Sequence, residues 1–331
     1  TKDGCSVCIR GDSHMKQVRN LTMLLLMASV GAVAQVPTGN NNNVGGEVGP
    51  VNRSLNETQH LQKPATQPQQ VGAGKQETKP TAAQPPAVPA GKRQPQAKTK
   101  EEFDAYTALI QLTDAAAMEK AADDFVAKFP DSELKGAVYQ RTMAAYQSAG
   151  NDDKTIDMGH KAIAFNPDDP AVLVSMAELI AGKTRETDLD KDDRLAEATK
   201  YANHALETVT DFPAPPTMPT EQVAKIKDEM RGSAYSALGM VAFTNKKYPE
   251  SIQNFNKSIE VTKDNPDPTV YLRLTIAYDK AGQYNEGLDM AKKTLALPGV
   301  SQQISTLATN EKNRLEKLTA NSIKPRSCSR R

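Results

Sequence analysis

The sequence predicts an all-α chain, a solenoid of stacked helix-turn-helix repeats behind a disordered spacer. Three observations predict it. From Lys100 onward apolar residues fall at helical spacing, and no alternating run marks a strand. Two long segments, Ala234 to Asp267 and Val270 to Gly299, align at a constant offset of 36, with Tyr235 over Tyr271, Leu238 over Leu274, Tyr248 over Tyr284 and Ile252 over Leu288. The breaks between segments carry helix-start chemistry: Asp169-Pro170 and Asp267-Pro268 each put a capping carboxylate before a proline at the first helical position.

The elements follow in order. Residues 1–14 precede the first Met and are expected to be an upstream, non-native segment, which sets aside the C-x-x-C pair Cys5 and Cys8. Residues 15–34, "MKQVRNLTMLLLMASVGAVA", combine a basic start, an apolar run and an A-x-A site, the pattern of a signal peptide cut after Ala34. The apolar run is shorter than the ~18 residues that spanning needs, so no direct membrane insertion is expected after cleavage. No Cys follows it at the lipoprotein position, and the mature chain keeps only Cys328, which leaves no internal disulfide.

Residues 35–100 are rich in Pro, Gln and Asn and contain no Phe, Tyr or Trp. Such a stretch cannot bury enough apolar surface to offset its ordering entropy and reads as a disordered linker. The folded domain is expected over 101–322. Its repeats run over 102–134, 136–169, 170–209 with a charged insert at 183–193, 232–267 and 268–299. The Pro-rich break "TDFPAPPTMPT" precedes a long helix from Glu221 to Thr244, capped by Thr220 and overhanging the stack. A polar-backed capping helix follows at 301–320 and a tail at 323–331.

Within the repeats, Tyr235, Leu238, Gly239, Tyr248 and Ile252, and again Tyr271, Leu274, Tyr278, Gly282 and Tyr284, resemble the tetratricopeptide repeat. The segment Val138 to Pro170 supplies another copy, and the resemblance covers about two-thirds of the chain. It implies a right-handed solenoid whose first helices line a concave face that holds extended peptides or partner helices. Carried over position by position, the groove would consist of Gln140, Ala144, Gln147, Val174, Glu178, Ser236, Met240, Phe243, Leu272, Ile276 and Asp279. Ser236 and Met240 stand where chaperone-binding members place a Lys/Asn carboxylate clamp, which argues against that role. "FVAKFPDSELKGAVYQ" resembles junctions in envelope members that serve outer-membrane assembly or cell division.

Chemistry is sparse. His60, His160 and His204 are scattered, with no H-E-x-x-H pair and no G-x-S-x-G elbow. The acidic insert Asp188 to Asp193 begins like a calcium loop but has Asp193 at the turn glycine and Thr199 at the bidentate glutamate. No enzyme, metal or cofactor is expected. With 41 basic and 40 acidic residues the net charge is +1, which gives no field toward nucleic acid. The expected function is a non-enzymatic protein or peptide scaffold of the bacterial envelope, secreted across the inner membrane and periplasmic. The alternatives are a subunit of an envelope assembly or division complex, and a metal-dependent accessory module using the insert at 188–193.

Overall fold

The computed structural model describes residues 93–323, with side chains to residue 320. The signal segment, most of the linker and the tail with Cys328 lie outside the described residues. Those residues form eleven α-helices and one short 3-10 turn: α1 (Lys100–Ile110), α2 (Ala115–Lys128), α3 (Lys135–Ala149), α4 (Asp152–Phe165), α5 (Pro170–Lys183), α6 (Lys191–Thr208), α7 (Thr220–Thr244), α8 (Tyr248–Val261), α9 (Pro268–Lys280), α10 (Tyr284–Ala296) and α11 (Gln302–Ile323). Consecutive helices pair as hairpins, α1/α2 through α9/α10. Each hairpin packs on the next, and α11 closes the array against α9 and α10. This is the all-helical solenoid that the sequence predicts.

Local chemistry sets the boundaries. Asp169 accepts from the amides of Ala171 and Val172, and Asp267 from Thr269, each ahead of a proline whose missing N–H costs nothing there. Thr99, Asp114 and Asn151 cap α1, α2 and α4 in the same way. Thr220 does not cap α7: it is the first helical residue, and Pro219 occupies the cap position without a side-chain bond. The extra turns of α7 do not stand free either. Ile226 and Met230 are buried, the helix packs on α5 and α6, and Lys227 Nζ donates to the carbonyl of Thr210 at 2.7 Å.

With so few aromatics, the core is built by close helix approach. Ala122, Ala162, Ala198, Ala202, Ala234, Ala237, Ala277 and Ala291 lie at the crossings, with Leu109, Met143, Met158, Leu173, Met176, Leu274 and Phe255 filling the gaps between them. Gly239 is needed for close approach: a Cβ there would stand 2.6 Å from the Phe255 ring. On the same interface Ser251 Oγ and Ser258 Oγ of α8 donate to the carbonyls of Gly239 and Gly232 of α7, at 2.9 and 2.7 Å. The helix α5, "PAVLVSMAELIAGK", is buried on nearly all sides from Pro170 to Ala181, with Ser175 and half-buried Glu178 its polar residues in that stretch.

Candidate functional site

The eleven positions carried over from the sequence all lie on the hairpins' first helices α3, α5, α7 and α9, but they differ in what covers them. In the C-terminal half α11 covers the positions on α9. Leu272 is 1% exposed and clusters with Ile304 and Ala308, with Ile276 and Leu307 packed alongside. The Asp279 carboxylate is buried and paired with the Arg314 guanidinium of α11, which also engages Glu311. Ser236 is buried and accepts a 3.1 Å bond from Arg273 Nη1. Met240 is buried at the α5/α7 contact near Gly182, and Phe243 is half-buried, edge-on to Tyr248 with ring centroids 5.6 Å apart.

The N-terminal half differs. Gln140, Ala144 and Gln147 form an i, i+4, i+7 stripe on α3, of which Ala144 and Gln147 keep part of their surface. Gln147 Oε1 is buried and accepts no hydrogen bond among the described residues. Val174 is buried on α5, whereas Glu178 stays half-exposed with a partner of its own.

The first two hairpins are bolted together by two parallel polar triads. Glu119 of α2 accepts from Tyr146 Oη of α3 and from Lys154 Nζ of α4, the latter at 2.8 Å. One turn along α2, Asp123 accepts from Tyr139 Oη at 2.7 Å and from Lys161 Nζ at 3.1 Å. Both ammonium groups lie over the rings they accompany, Lys154 over Tyr146 and Lys161 over Tyr139. Burial works against the charge on each carboxylate, but the Tyr and Lys hydrogen bonds outweigh it and hold both below the ordinary carboxylate range. Conversely, the bond to Glu119, reinforced by burial, pushes the Tyr146 phenol up to about 12.

No family model matches the chain, and no curated protein matches it. Three solved structures are similar at low identity. One concerns pilF of Pseudomonas aeruginosa (18% identical, TM-score 0.43, covering 67% of this chain and 90% of that one). A second is PilW, titled a widely conserved type IV pilus biogenesis factor (17% identical, TM-score 0.42, covering 69% and 96%). The third is Acl4, an assembly chaperone of RpL4, residues 1–338 (12% identical, TM-score 0.37, covering 68% and 99%). At these scores none of the three bears on the role of a residue.

His160 is exposed and His204 half-buried, and both form joints between hairpins. His160 Nε2 lies 2.8 Å from Glu197 of α6, and His204 Nε2 lies 3.0 Å from Asp168 in the α4–α5 loop. In the acidic insert the carboxylates turn to neighbours. Asp188 accepts from the Arg185 amide at 2.8 Å, Asp192 pairs with Lys191, and Glu186 pairs with Lys246 of the α7–α8 turn. Among the described residues no group of three or more His, Cys, Asp or Glu side chains could hold a metal ion, and no helix is long and apolar enough to cross a membrane. An open cleft of about 330 Å³ lies beside the insert, floored by Leu195, Val241 and Ala242 and rimmed by Asp192, Lys247 and Glu250.

Proposed function

We propose that the chain is a non-enzymatic interaction scaffold of the bacterial envelope, and that the α3 stripe of Gln140, Ala144 and Gln147, continued by Glu178 of α5, holds an extended segment of a partner protein. One observation carries the reading: Gln147 Oε1 is buried with no donor among the described residues. A buried acceptor left unpaired costs about 1–3 kcal/mol, a cost that a backbone N–H from an extended peptide removes once the half-buried Gln147 side chain turns toward the surface beside Ala144. The apolar C-terminal positions take no part in it, because α11 occupies Leu272 and Ile276. The periplasmic location rests on the signal-peptide pattern at residues 15–34.

The test uses Gln147→Met, which keeps the side chain's length and removes its polarity, together with photocrosslinkers at Ala144 and, as a control, at Lys120 in native envelopes. The reading expects an Ala144 adduct with one envelope protein, absent at Lys120 and lost on Gln147→Met. An adduct unchanged by Gln147→Met, with only a gain in stability, sinks the reading.

A further inference from the structure

Residues 93–99 lie at the end of the stretch that composition assigns to the spacer, yet they are laid along the fold without forming helix or strand. Arg93 forks onto Glu133 of the α2–α3 loop through two bonds of 2.7 and 2.8 Å. The Gln96 amide donates to the same carboxylate at 3.3 Å. Gln94 Nε2 reaches the carbonyl of Pro213, in the α6–α7 loop two hairpins away, at 3.1 Å. Ala97 packs on the core, the Lys98 amide donates to Glu102 at 2.7 Å, and Lys98 Nζ donates to the carbonyl of Asp131. Part of the receiving side is buried and hydrogen-bonded. Glu102 is 2% exposed and accepts from Ser132 Oγ, which itself accepts from the Leu134 amide at 2.9 Å.

From this arrangement we infer that the edge formed by the α2–α3 and α6–α7 loops is a binding site for extended basic peptides of the pattern Arg-polar-Pro-polar-small-Lys, and that Arg93–Lys98 is its resident ligand. The recognition is of peptide type. Glu133 reads a guanidinium bidentately and a backbone amide at once, two carbonyls take an amide and an ammonium, and the one apolar contact is small. The site is separate from the α3 stripe and stands whether or not that stripe binds a partner. Its contacts are largely exposed, with side-chain exposures of 65% for Arg93 and 35% for Glu133, and exposed ion pairs hold weakly. Occupancy in cis is therefore sustained by an effective concentration on the order of millimolar, and a free peptide competes only when the cis segment is weakened.

The experiment uses the full chain and a fluorescein-labelled peptide spanning residues 91–99. The Arg93→Ala chain is expected to bind the peptide at least about tenfold more tightly than the unaltered chain does. Adding Glu133→Gln should cost about tenfold in affinity, the scale of one bidentate pair. A peptide carrying Glu at position 93 should bind a chain carrying both Arg93→Ala and Glu133→Arg, which separates direct contact from a folding defect. In the unaltered chain, trypsin should cut after Arg93 more slowly than in the Glu133→Gln chain. Peptide that fails to bind the Arg93→Ala chain while helical circular dichroism is intact, or that binds it equally with and without Glu133→Gln, overturns the inference.

Discussion

Lys246 holds the same left-handed backbone as Gly282 one repeat later, with φ of 58° against 76°, and in both turns the next amide bonds back across the helix end, Lys247 to Ala242 and Gln283 to Tyr278, each at 2.9 Å. The turn geometry belongs to the repeat rather than to either residue. Only one of the two sites has the residue that adopts it without a Cβ penalty.

Lys246→Gly should therefore stabilise the chain by about 0.5–1 kcal/mol, and Gly282→Ala should destabilise it by about 1–2 kcal/mol. A Cβ at Gly282 meets no atom within 4 Å, so strain and not crowding is the cause. The Lys246–Glu186 pair is exposed on both sides, and its loss subtracts little. Urea midpoints at unchanged m-value read both effects.

Gly239→Ala should cost about 1–3 kcal/mol by overpacking against Phe255. Combined with Phe255→Leu, the loss should be less than additive, because the smaller side chain vacates the space the methyl needs. A double-mutant cycle with no coupling would show that the ring does not rest on Gly239.

The two triads predict acid sensitivity in the first two hairpins. Glu119 and Asp123 have folded pKa values below their ordinary 4.5 and 3.8. The stability they contribute is fully present above the ordinary values and is lost as pH falls through the folded ones. Denaturation followed from pH 7 to pH 2 should show stability falling below about pH 4.5, and Glu119→Gln with Asp123→Asn should flatten that part of the profile.

Arg314→Met should strand the Asp279 carboxylate, whose side chain is 6% exposed, and loosen α11 at a cost of about 1–3 kcal/mol. Hydrogen exchange should accelerate in α9 and α11 while α1 to α4 keep their protection. Leu272→Asp should do the same through the apolar contact with Ile304.

The helices and their turns were legible because the signals are local. Asp-Pro starts, turn glycines and helical spacing act within a few residues, and Asp169, Asp267, Gly150 and Gly282 all do what their neighbourhood implies. The candidate groove was less legible, since periodicity assigns a residue to a face without saying what lies on it. Leu272 and Gln147 occupy equivalent faces, but α11 covers one and not the other. The triads and the histidine joints escaped altogether. Lys161 and Asp123, or His204 and Asp168, are about one repeat apart and meet only through the stacking of hairpins. The signal that could have found them is that near-constant separation between opposite charges.

The near-complete burial of α5 has a consequence for how the chain can be divided. With only Glu178 half-exposed between Pro170 and Ala181, α5 has almost no face to turn to water, so a cut on either side of the third hairpin is expected to leave an apolar edge. A fragment that begins or ends beside the third hairpin therefore has to bury that edge against another surface to stay in solution.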